Sequence, residues 1–252
     1  MTTPNPQNDY EHSSLSLMSV LSLLVAMALG IFGALIFAPS WIPNFALTMV
    51  GTDPKAYWYL ARGSAFVALG LLWLSMMLGL LITNKLSKHW PGAAAAFAIH
   101  EYVSLLGLIF IMFHALILLR DHYINYTLAQ VLMPFGSVNY HPIWVGVGQI
   151  GLYVWAVVAL TFYIRQLIGP KTWRLIHFLS FLMFLMAILH GITSGSDTSL
   201  PWTQAVYWSL GGSFLFLTML RMVVHVTSKF SKPAPRPVAR VQPQQIAAAK
   251  ED

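Results

Sequence analysis

The sequence predicts an all-α integral membrane protein, a six-helix bundle with two levels of paired histidines between the third and fifth helices. Three observations carry that expectation. The chain is 57% apolar and only 9% charged, it contains repeated long apolar runs, and four of its histidines fall inside two of those runs. An ordinary soluble domain is roughly a quarter charged, so water is not the main solvent here. A helix needs about 20 apolar residues to cross the hydrocarbon core, where its backbone polar groups must be satisfied internally.

Spans are expected at 15–38, 56–83, 92–119, 143–168, 173–194 and 203–226. Connections are short except over 120–142, where Pro134, Gly136 and Pro142 punctuate an aromatic stretch that reads as an ordered interfacial loop. Trp41, Trp58, Trp90, Trp144, Trp173 and Trp202 stand near span ends, where amphipathic rings favour the headgroup layer. Residues 1–14 hold Asp9 and Glu11 but no Lys or Arg, so they read as a polar tail rather than a cleavable signal. The transmembrane domain then covers 15–228. Residues 229–252, rich in Pro, Ala and Gln, read as a disordered basic tail.

The formal charge of +6 does not point to nucleic acid, because Lys and Arg fall in short loops and in the tail. Lys85 and Lys88 follow the second span, Arg165, Lys171 and Arg174 surround the next even-to-odd connection, and Lys229, Lys232, Arg236 and Arg240 follow the sixth. By the positive-inside rule these connections and both termini face the cytoplasm of a plasma membrane, such as a bacterial inner membrane. The chain has no cysteine, which excludes disulfides, thiolate zinc sites and cysteine-held iron–sulfur clusters. Any metal must rely on His, carboxylate, Met or an exogenous cofactor.

His100 and His114 lie in the third span, His177 and His190 in the fifth. Ionisable groups at membrane depth are costly and face a bundle interior, a cavity or a partner. Neutral imidazole is also a natural axial ligand for haem iron. The two odd-numbered spans run in the same direction, so His100 shares a depth with His177, and His114 with His190. At about 1.5 Å per residue the two levels are roughly 20 Å apart, and a b-type haem at each would make a two-step route through the bilayer. Facing is simple on the third span, where fourteen steps of about 100° return near the starting face. On the fifth, thirteen steps leave an offset of about 140°, to be absorbed by different rotamers, laterally offset haems or a π-bulge.

Other residues carry two readings each. Gly107, seven residues from both His100 and His114, either leaves room between two macrocycles or marks close helix packing. Arg62 either pairs with a haem propionate or snorkels to lipid phosphate. Arg174 and Lys171 either meet the inner propionates or serve topology alone. Glu101 points about 100° away from His100 and reads as a snorkelling or neutral side chain, with proton uptake near a quinone as the rival. Asp121 and Asp197 read as capping or turn residues. His12, His89, His122, His141 and His225 fall outside the paired pattern.

The pattern His100-x13-His114, together with Trp173-Arg-Leu-Ile-His177-x12-His190, resembles the bis-histidine motifs of the ferric reductase-like transmembrane domain family. That family includes the membrane halves of NADPH oxidases and ferric reductases and the haem subunit of the bacterial methionine sulfoxide reductase system. Similarity extends through Arg62-Gly63, Pro134-Phe135, Gly146, Gly148 and Gly195-Ser-Asp197, covering most of residues 56–225. The resemblance implies two b haems, an inner one on His100 and His177 and an outer one on His114 and His190. Relatives with an appended flavin and nicotinamide domain differ from this chain, which ends soon after its sixth span. Its donor is therefore expected to be a quinol or a separate redox protein, and its acceptor an extracytoplasmic partner. Two rival functions remain, a terminal ferric-chelate reductase and a non-redox scaffold subunit of a membrane complex.

Overall fold

Prolines open the helices that matter most here. Pro142, Pro170 and Pro201 each stand at the first position of a helix, where the missing N–H is no loss and the fixed φ already suits the helix. In a computed structural model of the chain, residues 16–41, 56–88, 92–138 and 140–230 are described. Among them the α-helices are α1 (Leu17–Trp41), α2 (Ala56–Thr83), α3 (Ala93–Ile117), α4 (Leu128–Leu132), α5 (Pro142–Thr161), α6 (Arg165–Ile168), α7 (Pro170–Ser194) and α8 (Pro201–Phe230). The protein is all-α, and five helices, α2, α3, α5, α7 and α8, are long and apolar enough to cross a membrane. The first expected span falls on α1, whose described apolar stretch, Leu17–Ile31, is shorter than a span. The tail expected at 1–14 lies outside the described residues, as do His89 and Trp90. So does the C-terminal tail beyond Lys229 and Phe230, which continue α8.

The fourth span is expected to run to residue 168, but α5 ends at Thr161. Arg165 accounts for the stop. Its Nη1 donates to the Phe162 carbonyl at 2.7 Å, and its guanidinium sits 4.0 Å from the centre of the Phe162 ring. A cation that satisfies a helix's terminal carbonyls ends it favourably. Gly169, at φ 81, then turns the chain into α7.

The most extensive packing pairs α2 with α3 and α5 with α7, while α3 and α7 hardly touch directly. Leu72, Met76 and Leu80 of α2, Leu108 of α3, Trp155 of α5, Met183 and Phe184 of α7 and Phe214 of α8 make the central core. The indole of Trp73 donates to Ser213 Oγ at 2.8 Å, tying α2 to α8. Only 6% of the most apolar window of α8 is buried within the protein, which puts this helix at the periphery, with apolar surface suited to lipid.

The stretch between α3 and α5 folds into an ordered loop. Asp121 Oδ1 accepts from the N–H groups of Tyr123 and Ile124, an Asx turn. Thr127 and Gln130 close a capping box on α4. Gln149 of α5 donates to the carbonyls of Gln130 and Val131 and accepts from the Phe135 N–H. Tyr153 adds a bond to the Leu132 carbonyl, and Tyr140 OH donates to the Ser194 carbonyl at 2.7 Å. Ser137 donates to the Tyr140 carbonyl, so Tyr126 OH donates to Ser137 Oγ at 2.7 Å. Burial pushes that phenol up from its ordinary range, which keeps it a donor. The loop is thereby fastened over one end of the bundle, called the loop end below. The α2–α3 connection marks the opposite turn end.

Candidate functional site

Antiparallel pairing of α2 and α3 sets the register of the third-span histidines. His114 Nδ1 lies 2.8 Å from the Ala61 carbonyl and His100 Nδ1 lies 2.9 Å from the Ser75 carbonyl. Ala61 and Ser75 are separated by the same fourteen residues as the two histidines. On α7, His190 Nδ1 lies 2.9 Å from the Trp144 carbonyl of α5. A carbonyl can only accept, so each of these Nδ1 atoms carries the proton and leaves Nε2 with a free lone pair. That is the arrangement by which ligating histidines are usually oriented. His177 is held differently, its ring stacked on Trp173 with centroids 5.1 Å apart and planes at 28°.

Four imidazoles meet in two pairs, as their depths predict. The centroids of His100 and His177 are 6.2 Å apart, and those of His114 and His190 are 6.3 Å apart, with ring planes at 73° in both cases. A metal–imidazole bond is about 2 Å long and the ring centre lies about 1.1 Å beyond the nitrogen, so two axial imidazoles on one iron have centroids roughly 6.3 Å apart. Each pair also borders a cavity, the loop-end one holding His114 and His190 and the turn-end one His100 and His177. Among the described residues no group of three or more His, Cys, Asp or Glu forms a metal site. This donor set suits a metal whose remaining ligands come with a macrocycle, as in haem, better than a bare ion held by protein alone.

The thirteen-residue interval on the fifth span does not require a π-bulge, since α7 is α-helical throughout. Its two rings meet different supports, α5 for His190 and Trp173 for His177, and both still reach their partners. Close approach matters at Gly148, where an added Cβ would lie 2.6 Å from His190 Nδ1. Gly107 lies against Trp155, where an added Cβ would come within 2.6 Å of the indole ring. Trp155, with Leu72 and Met183, borders both cavities and separates the two levels.

Arg62 borders the loop-end cavity, and its ion-pair partner is Asp197. Asp197, read from sequence as a capping or turn residue, is thus the counter-ion of Arg62. Asp121 does make the expected turn. At the turn end Arg174 borders the cavity, joined by Arg221 of α8, which the sequence reading did not single out. Tyr163 OH donates to Glu101 Oε1 at 2.9 Å, giving Glu101 a protein partner that sequence spacing did not reveal.

Residues 56–197, more than half of the chain, match a family described as a domain of unknown function (DUF8596). No curated protein and no solved structure matches the chain.

Proposed function

The chain belongs to this family of unknown function, and from the site itself we propose that it is a transmembrane electron carrier holding two b-type haems. One haem is assigned to His100 and His177, the other to His114 and His190. The reading rests above all on two imidazole pairs whose 6.2 and 6.3 Å separations suit two axial ligands of one iron. The resemblance of the histidine motifs to the ferric reductase-like transmembrane domain family supports it. The donor is a quinol or a separate redox protein on the cytoplasmic side, and the acceptor is extracytoplasmic.

When bound, haem supplies one-electron iron chemistry. The chain's part is to hold, orient and space. Backbone carbonyls of Ala61, Ser75 and Trp144 fix three imidazoles with Nε2 free. Trp155, Leu72 and Met183 fill the space between the levels with apolar surface. Arg174 and Arg221 supply positive charge beside the turn-end cavity, while Arg62 at the loop end is balanced by Asp197.

A reduced-minus-oxidised spectrum with haem quantification tests the proposal. Two low-spin bis-imidazole haems per chain are expected. Ring planes at 73° further predict a strongly axial EPR signal for the oxidised protein, unlike the rhombic signal of parallel rings. A colourless protein from haem-replete cells would overturn the assignment and favour a scaffold role.

The turn end is assigned to the cytoplasm because Lys85, Lys88, Lys171 and Arg174 gather there. A membrane-impermeant amine reagent applied to intact cells should leave Lys85 and Lys88 unmodified and reach them only after permeabilisation. Ready modification in intact cells would reverse the direction of electron flow proposed here.

A further inference from the structure

The two imidazoles of α3 rest on equivalent carbonyls of α2, but the hydroxyls around them act in opposite senses. At the turn end His100 Nδ1 lies 2.9 Å from the Ser75 carbonyl and 3.3 Å from Ser75 Oγ. Ser75 Oγ is 2.6 Å from Ser104 Oγ, and Ser104 Oγ donates to the His100 carbonyl at 2.6 Å. A hydroxyl has one proton. Because that of Ser104 goes to a carbonyl, Ser75 must donate to Ser104, and its oxygen can then only accept from the His100 N–H. Ser75 thus offers His100 two acceptors, a carbonyl and a hydroxyl oxygen polarised by its own donation.

At the loop end the residues at the same register, fourteen positions away, are Ala61 in place of Ser75 and Leu118 in place of Ser104. Neither side chain can join such a chain of bonds. Ser64 Oγ lies instead 2.9 Å from the Ala61 carbonyl and 2.8 Å from that of Leu60, as a donor shared between them. The carbonyl that accepts from His114 therefore has a competing donor. Leu78, the turn-end counterpart of Ser64, carries no hydroxyl.

We propose that Ser75 and Ser104 act through His100 to hold down the reduction potential of the turn-end haem, while Ser64 acts through His114 to hold up that of the loop-end haem. The inference rests on the haem reading and assigns these three serines as positioning residues. An Nδ1 proton drawn more strongly toward its acceptors makes Nε2 a stronger donor to iron, which favours ferric over ferrous iron. At the turn end this opposes Arg174 and Arg221, whose positive charge beside the cavity favours the less positive ferrous state.

The test is an optical redox titration of the full chain in lipid nanodiscs, with His114→Leu to read the turn-end haem alone and His100→Leu to read the loop-end haem alone. Ser75→Ala should raise the turn-end midpoint potential through a roughly threefold to tenfold change in the ferric-to-ferrous equilibrium, about 30–60 mV for one electron. Ser104→Ala should move it the same way by less, and Ser75→Thr, which keeps the hydroxyl, should leave it near the parent value. Ser64→Ala should instead lower the loop-end potential, because the Ala61 carbonyl is then left to His114. Opposite signs from the loss of one serine hydroxyl at each level are a signature that loosened packing would not produce. Shifts of the same sign in Ser75→Ala and Ser64→Ala, or a potential left unmoved by either, would overturn the proposal. Should Ser75→Ala fail to retain haem, Ser104→Ala carries the same contrast. A chain with all four histidines that yields no bis-imidazole spectrum would instead be a failure of the haem reading itself.

Discussion

His114→Leu is expected to remove one of the two haems, halving haem content, while the low-spin signal of the turn-end level persists. His190→Leu should do the same. The double variant should add little, because in the proposed two-haem reading both residues act on one iron and their effects are not additive. His100→Leu and His177→Leu should form the complementary class and block electron entry from the cytoplasmic side. The grouping follows from the two close pairs, 6.2 and 6.3 Å between centroids. Haem quantification, EPR and redox titration on correctly inserted variants check it. A grouping of His100 with His190 would contradict the geometry, and four unchanged spectra would end the ligand assignment.

The second large effect is expected from one methyl group. Gly148→Ala places a Cβ 2.6 Å from His190 Nδ1, into a ring held to the Trp144 carbonyl of the same helix. The ring can retreat only by giving up its bond to the Trp144 carbonyl. Forcing atoms into such a packed contact costs about 1–3 kcal/mol, equivalent to roughly a fivefold to hundredfold loss of loop-end haem affinity. Gly79→Ala is the matched control, because its Cβ would stand 3.5 Å from His100 Cε1, an ordinary contact. Turn-end haem binding should survive that substitution. Equal sensitivity at the two glycines would show that clearance to the imidazole is not what Gly148 provides.

Depth was legible in the sequence and lateral support was not. Apolar runs located the helices, and the common direction of the third and fifth spans placed His100 beside His177 and His114 beside His190. The thirteen-residue interval on α7 looked like an obstacle because angular bookkeeping treats a helix as an isolated straight rod. The neighbours of α7 decide where each ring comes to rest, and they differ at the two levels. The Arg62–Asp197 pair escaped notice because its members are 135 residues apart in sequence and each has a sufficient local explanation. Trp155 was hidden for another reason: one more apolar residue in an apolar run carries no mark that it fills the space beside Gly107. The early end of α5 carries no such mark: Gly169-Pro170 points to a helix end at residue 168, whereas the helix stops at Thr161.

The carbonyl anchors of the histidines bear on how this sequence can drift. Ala61, Ser75 and Trp144 contribute main-chain oxygen to His114, His100 and His190, and every amino acid carries that oxygen. A lineage could exchange the side chains at all three positions and still inherit the orientation of the rings, provided that the helices keep their register. Insertions are another matter. One residue added within α2 between Ala61 and Ser75 would turn one carbonyl by about 100° relative to the other, detuning one level while sparing its twin. Divergent members of the family should therefore hold the interval between the two anchor positions of α2 constant even where the residues at those positions differ.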